Sequence, residues 1–331
     1  MENQIFKAMV VQETAEKKFN RKIANKSVSE LPPGDVLIKV KYSSLNYKDA
    51  LSASGNKGVT RNYPHTPGID ASGIVEESIS ADFKPGDKVI VTSYDLGMNT
   101  SGGFGQYIRT PVDWVVKLPS GLSLKESMIY GTAGFTAGLS VHKMIHTIKP
   151  EHGEILVTGA SGGVGSMAVS ILSKCGYEVV AVSGKTEEKG FLTDLGAKEI
   201  ISREDATDVS GRPLLKRRWA GVIDTVGGDI LATAIKSVKQ GGTVTCCGNV
   251  ASPDLPLTVF PFILRDVSLL GVDSQNCAMP LRLKIWNKLA ADWKSDHLVE
   301  LSSEIGLDDL DDHIELILKG KKKGRTIINL A

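Results

Sequence analysis

The stretch VTGASGGVG, residues 157–165, crowds glycines at 159, 162, 163 and 165 into one turn. It follows the apolar run EIL and precedes MAVSIL, whose apolar residues recur at helical spacing. A helix entered through such a turn lets backbone N–H groups approach a phosphate that side chains would hold off. The turn lacks the Lys-Ser or Lys-Thr ending of a triphosphate-hydrolysing loop. It suits the pyrophosphate of a dinucleotide, with Ser161, Gly162, Gly163 and Val164 within reach of the ligand.

A second determinant lies at VVAVSGK, residues 179–185. An adenosine 2'-hydroxyl is met by Asp or Glu at the end of this strand, a charge that would repel a 2'-phosphate. Here Ser183 stands at the strand end, Gly184 leaves room and Lys185 supplies a cation, so NADP(H) is the expected cofactor. Arg203, just past the next strand-like run AKEIIS, can join the adenine-ribose side. Val226, Gly248 and Asn249 follow the apolar runs GVIDT and GTVTCC, and Ser274 follows VSLLGVD. Carboxyl ends of parallel strands carry ligand-binding loops, although each of these also reads as a sharp glycine loop.

The third group is LNYKDAL, residues 45–51. Asn46 can donate to an anionic oxygen, Tyr47 can contact a nicotinamide or ribose, and Asp49 can fix neighbouring polar groups. The same residues also fit a capped turn whose tyrosine packs. Arg61 suits a substrate or an acidic neighbour. Thr132, within YGTAGFTAG, can meet a cofactor polar group or belong to a close-packed small-residue helix, and Arg325 can pair with a phosphate. Phe104 and Phe262 fit an apolar substrate route or the core equally well.

These groups need two kinds of framework. From Phe6 to about Pro119 short strands are punctuated by Gly and Pro, which suggests a rolled antiparallel domain. From residue 124 a helical run opens a series of alternating strands and helices, which requires a doubly wound, mostly parallel sheet. The chain is therefore expected to be α/β, with a strand-rich domain over 1–124, a dinucleotide domain over 125–298 and a completion of the first domain over 299–331. The closing strand-like RTIINL is expected to return to the first domain, because the nucleotide sheet has no need of it. The two tryptophans around LRLKIWNKLAADW are expected to pack rather than bind.

At 331 residues, two domains with real cores are affordable. A net charge of +1 gives no basic field for nucleic acid, and no apolar run approaches the roughly 20 residues that cross a bilayer. Four cysteines, at 175, 246, 247 and 277, make neither a zinc spacing nor a disulfide framework. Neither nucleic acid nor membrane is expected as a partner, and the expected location is cytoplasmic.

Taken in order, SSLNYKDALSASGNKGVTRNYPHTPGIDASGIV, YGTAGFTAG and VTGASGGVG resemble the medium-chain dehydrogenase/reductase superfamily. More narrowly they resemble the quinone oxidoreductase branch called the YhdH/YhfP group, whose members include acrylyl-CoA reductases. The resemblance spans nearly the whole chain. It implies a GroES-like catalytic domain, a Rossmann cofactor domain, a cleft between them and a homodimer or larger homo-oligomer. It also implies NADPH-dependent reduction of an activated carbon–carbon double bond, in acrylyl-CoA or a similar short enoyl thioester, with a quinone or small enone as the alternative. By resemblance, Tyr47 is the foremost cofactor contact of the first domain, with Asn46 and Asp49 as catalytic residues. Zinc-dependent relatives place cysteine near Asn46 and Gly-His-Glu near Gly68-Ile69-Asp70, so no metal is expected here.

Overall fold

In the computed structural model, which describes residues 4–184 and 188–331, β1 (Ile5–Glu13) and β2 (Phe19–Ser27) pair as an antiparallel hairpin. Period-2 patterning then builds a sheet around β3 (Val36–Leu45). Val36, Ile38 and Val40 enter one apolar cluster, while Leu37, on the opposite face, joins Phe6, Ala8 and Tyr107 in another. Antiparallel partners of β3 are β4 (Asp70–Ser78) and β6 (Tyr107–Thr110); β4 continues to β5 (Lys88–Thr92) and β7 (Val115–Lys117). A short helix, α1 (Tyr47–Ala53), leaves the end of β3.

Chain continuity passes through α2 (Leu124–Met144), which is broken at Gly131 by φ 50° and ψ −156°. The first unit ends one residue later, comprising Met1–Thr132, Gln275–Ala290 and Leu298–Ala331; the second comprises Ala133–Ser274 and Ala291–His297. An unbroken small-residue helical pattern hides this boundary, which falls at 132 instead of the expected 124.

The second unit alternates β8 (Ile155–Val157), α3 (Gly163–Lys174), β9 (Val179–Val182), α4 (Lys189–Asp194), β10 (Ala197–Ile201), β11 (Trp219–Asp224), α5 (Gly228–Lys236), β12 (Val238–Cys246), α6 (Phe260–Arg265) and β13 (Ser268–Gly271). All six strands are parallel, in the order β10-β9-β8-β11-β12-β13. β9 and β11 are buried along their whole length, as strands covered on both faces must be. The winding reverses between β8 and β11, so the loops leaving their carboxyl ends diverge and open a crevice.

The last elements are α7 (Met279–Leu289), β14 (Ser302–Ile305), α8 (Leu310–Leu318) and β15 (Arg325–Asn329). β15 pairs antiparallel with β3, as expected for a returning strand. α7 corrects the expected domain limits, since it belongs to the first unit. Its fully buried Arg282 donates to Thr92 O and Oγ1 at 3.0 Å and sits 4.2 Å above the Tyr94 ring. Residues 291–297 rejoin the second unit through Ser295 on Ser170, 2.6 Å, and Asp296 on Lys174, 2.6 Å. Trp286 and Trp293 are both buried.

Candidate active site

The turn after β8 bends at Gly159, whose carbonyl accepts the Gly162 N–H at 3.0 Å. α3 then starts with Gly162 as its N-cap, which has no side chain to cap the first N–H groups, and with no acidic residue in its first turn. A 12-residue helix so begun presents N–H donors and the positive end of its dipole to an anion. At Gly165, the first-turn backbone presses on the turn itself. A methyl there would lie 2.2 Å from Gly159 O and 2.7 Å from Ala160 Cα.

Beside the turn lies a cavity of about 180 Å³. Its polar rim is Ser161, Ser183 and Arg203, its backbone floor includes Gly159, Gly184 and Val226, and Val182, Ile230, Val250 and Ala251 form apolar walls. The Arg203 guanidinium lies over Gly184, where a methyl would meet Nε at 2.7 Å. Hydroxyls, a planar cation and apolar walls, with no carboxylate among the described lining residues, suit a phosphorylated ribose next to a flat base.

In the first unit, polar side chains converge where β3, β4, β15 and the break of α2 meet. Asp70 Oδ2 accepts from Ser44 Oγ at 2.6 Å and Asn46 Nδ2 at 2.8 Å; Oδ1 accepts from Thr132 Oγ1 at 2.6 Å. Both oxygens take the Thr132 N–H, at 2.9 and 3.0 Å, so Asp70 caps the helical segment that restarts after Gly131. With its own proton on Asp70, Thr132 Oγ1 accepts from Ser93 Oγ, 2.8 Å away. Arg325 donates through Nε to Ile129 O at 3.0 Å, Nη1 to Asn46 Oδ1 at 3.2 Å and Nη2 to Ser44 Oγ at 2.8 Å, and lies 3.8 Å from Asp70. Gly131 fits against this cluster because a Cβ would stand 2.4 Å from Asp70 Oδ2, and its positive φ would strain any other residue.

Asp49, fully buried, accepts the Asn46 and Ile69 N–H groups, each at 2.8 Å, and Asn46 Nδ2 at 3.2 Å. Burial first, and the neighbouring Asp70 second, push its carboxyl up to about 7, against the pull of those donors. The folded chain therefore binds a proton, between about pH 4 and pH 7, that the unfolded chain has released. Stability from this group is fully present below the unfolded value and is lost as pH rises through 7. We expect the Asp49 Cγ resonance to titrate near neutrality, and the stability gap between wild type and Asp49→Asn to move in favour of the variant from pH 5 to pH 8. A gap independent of pH would remove Asp49 as the titrating group.

Residues 32–120 match the alcohol dehydrogenase GroES-like domain family, and residues 163–289 match the zinc-binding dehydrogenase family. The chain is 42% identical over 328 residues to the acrylyl-CoA reductase AcuI of Ruegeria pomeroyi, covering 98% of this chain and 99% of that protein. The yhdH oxidoreductase of Salmonella enterica in complex with NADP superposes with a TM-score of 0.95 at 41% identity, covering 98% and 100% of the two chains. The Bacillus subtilis protein yhfP with NAD bound gives 0.96 at 44% identity, covering 99% and 100%. The chain belongs to the medium-chain dehydrogenase/reductase superfamily. Within it, the chain falls in the quinone oxidoreductase and acrylyl-CoA reductase group, and its two units are the GroES-like and Rossmann-type domains of that fold.

Against this dehydrogenase/reductase framework the expected site residues divide. Ser161, Ser183, Gly184, Arg203 and Val226 line one cavity, and Gly162, Gly163 and Val164 open α3 beside it. Lys185 lies outside the described residues. Gly248 packs on Thr225 O, where a methyl would stand at 2.1 Å, and Asn249 follows it, exposed; Ser274 closes the long segment of the Rossmann unit. Tyr47 opens α1, is 38% exposed and remains available to a ligand.

The fold changes the reading of Arg325, Asn46 and Asp49 and places Thr132, Arg61, Phe104 and Phe262. Arg325 is no phosphate partner: it is buried, with all three nitrogens on protein acceptors. Asn46 spends its amide on Asp70, Asp49, Ser44 O and Arg325, so it positions neighbours instead of donating to a substrate. Asp49, shut inside the same network, is likewise a positioning residue. Thr132 holds Asp70 and Ser93. Arg61 is exposed, with its backbone N–H on Asn99 Oδ1 at 3.3 Å, and joins none of the bonds of the buried network. Phe104 is core, and Phe262 packs against the Rossmann core. Ser44, Asp70 and Ser93 were not singled out from sequence. Ser44 adjoins LNYKDAL, whereas Asp70 at the start of β4 and Ser93 just past β5 carry no local signal of the cluster.

Proposed function

We propose that this chain is an NADPH-dependent reductase of an activated carbon–carbon double bond, acting on acrylyl-CoA or a similar short enoyl thioester. The observation that carries the reading is the Ser183 and Arg203 rim beside the glycine turn, with no carboxylate among the described lining residues, in a chain whose relative over 98% of its length is an acrylyl-CoA reductase.

The N–H groups opening α3 would receive the pyrophosphate, Ser183 and Arg203 the 2'-phosphate, and Val182, Ile230, Val250 and Ala251 the adenine faces. NADPH held there would supply a hydride to the β-carbon of the alkene, the conjugated carbonyl would take up the developing charge, and a proton from solvent would complete the α-carbon. Tyr47, exposed at the start of α1, is the side chain we assign to cofactor or substrate on the resemblance carried by LNYKDAL, and the Asn46–Asp49–Asp70–Arg325 network holds the start of its helix rigid.

Zinc does not fit these residues. Asn46 offers an amide already committed to protein partners, Ile69 offers no ligand atom, and among the described residues no group of three or more His, Cys, Asp or Glu is arranged to hold a metal. An alkene conjugated to a carbonyl carries its own electrophilic carbon, so the proposed reaction runs without a Lewis acid from the protein.

The test is a substrate panel of acrylyl-CoA, a small enone and a quinone, each with NADPH and NADH, with products identified by mass. Propionyl-CoA formed with NADPH supports the reading. Turnover of quinone alone would make the chain a quinone reductase, and stoichiometric NADPH binding without turnover would make it a binding protein.

Homo-oligomerisation belongs to the same proposal. β13 is an edge strand with β12 as its one neighbour, and α6 beside it exposes Phe260, Ile263 and Leu264. Sedimentation is expected to show a homodimer that Ile263→Glu converts to monomer; a monomeric wild type would overturn it. Among the described residues no helix is long and apolar enough to cross a membrane, and the four free cysteines suit the reducing cytoplasm proposed as its location.

A further inference from the structure

We propose that His142 and His146 form a two-imidazole chelate for a late first-row divalent cation such as Ni²⁺, Cu²⁺ or Zn²⁺. The pair is spaced i, i+4 across the end of α2 in the Rossmann unit, with His142 in the last helical turn and His146 two residues past Met144, and the two rings meet there. Their Nε2 atoms lie 3.4 Å apart, with ring centroids at 4.6 Å and planes at 76°. Two nitrogens bound 2.0–2.1 Å from one ion are about 3.4 Å apart at a tetrahedral angle, which the observed separation matches, and about 2.9 Å apart at the right angle of a tetragonal ion, which a side-chain shift of about 0.5 Å reaches.

In the metal-free pair one Nε2–H must donate to the other Nε2. On chelation each neutral ring carries its single proton on Nδ1, both Nε2 lone pairs face the ion, and water completes the coordination shell; no covalent bond between heavy atoms changes. α2 ends at Met144, two residues before His146, so the carbonyl end of the helix dipole adds attraction for a cation. Two lysines oppose it. Their ammonium groups are held on carbonyls, Lys143 on Gly271 O at 2.6 Å and Lys149 on Ile145 O at 3.1 Å. Imidazole donors without thiolate or carboxylate favour these late metals over Mg²⁺ or Ca²⁺.

The site stands apart from the reductase reading and survives its failure. The test uses the untagged full chain, titrated calorimetrically with NiCl₂, and Cu²⁺ electron paramagnetic resonance. One ion per chain is expected, with nitrogen superhyperfine structure from two imidazoles. His146→Ala, at an exposed position, should weaken Ni²⁺ binding about tenfold or more and reduce the Cu²⁺ pattern to one nitrogen, with an unchanged melting curve. His142→Ala should do the same. Absence of stoichiometric binding, or an affinity unchanged by either substitution, overturns the assignment.

Discussion

Arg325→Met is expected to destabilise the chain by about 3–5 kcal/mol, the cost of removing one partner from a buried ionic group and leaving the other uncompensated. Arg325 and Asp70 are 3% and 0% exposed at the side chain, and Arg325 is the cation facing Asp70 and, more distantly, Asp49. Methionine fills much of the volume but leaves Ser44 Oγ, Asn46 Oδ1 and the carbonyls of Leu45 and Ile129 without their donor. Arg325→Lys restores charge without the planar fork and is expected to recover only part of the loss. Adding Asp70→Asn to Arg325→Met removes the orphaned charge and should be less harmful than the sum of the two single changes. Urea unfolding measures all four. An Arg325→Met chain within about 1 kcal/mol of wild type would mean that the network does not hold the first unit together.

The second large effect concerns cofactor choice. Arg203→Ala should raise the NADPH dissociation constant about tenfold to a hundredfold, the range of a lost charge-assisted hydrogen bond, and leave NADH nearly unchanged. Ser183→Asp places a carboxylate where the 2'-phosphate would lie and offers it to a 2'-hydroxyl instead, so NADPH should weaken while NADH tightens. Combined, the changes should invert the preference. Fluorescence titration of both cofactors decides it. Equal losses for NADPH and NADH in Arg203→Ala would show that the guanidinium supports the fold of the cavity without reading the phosphate.

These two predictions come from parts of the molecule that differed in how far sequence could reveal them. The cavity beside the glycine turn was legible because its signals are local. A strand, a glycine turn and a helix follow one another at 155–174, and Ser183 and Arg203 come one and two residues after strands that the apolar pattern marks. The return of β15 was legible for a similar reason, as an apolar strand left over once the parallel sheet is complete. The first-unit network was not. Arg325 meets Asn46 across 279 positions and Ile129 across 196, and an arginine bound for burial looks, in sequence, like one bound for a phosphate. Asn46 was noticed for its donors, but only the fold shows those donors already used. The apolar pattern of Ile285, Trp286 and Leu289 announced that α7 is buried without saying in which unit. The chain crosses between units inside α2 because Gly131 breaks the helix against Asp70, which one-dimensional helix spacing cannot register.

The proposed reaction delivers a hydride to the β-carbon of an enoyl thioester. Turnover of acrylyl-CoA with NADPH deuterated at the transferring C4 position, in ordinary water, tests it most directly. The expected product is propionyl-CoA carrying one deuterium at C3, with the C2 proton drawn from solvent. Deuterium at C2, or oxidation of the cofactor without labelled propionyl-CoA, would contradict it.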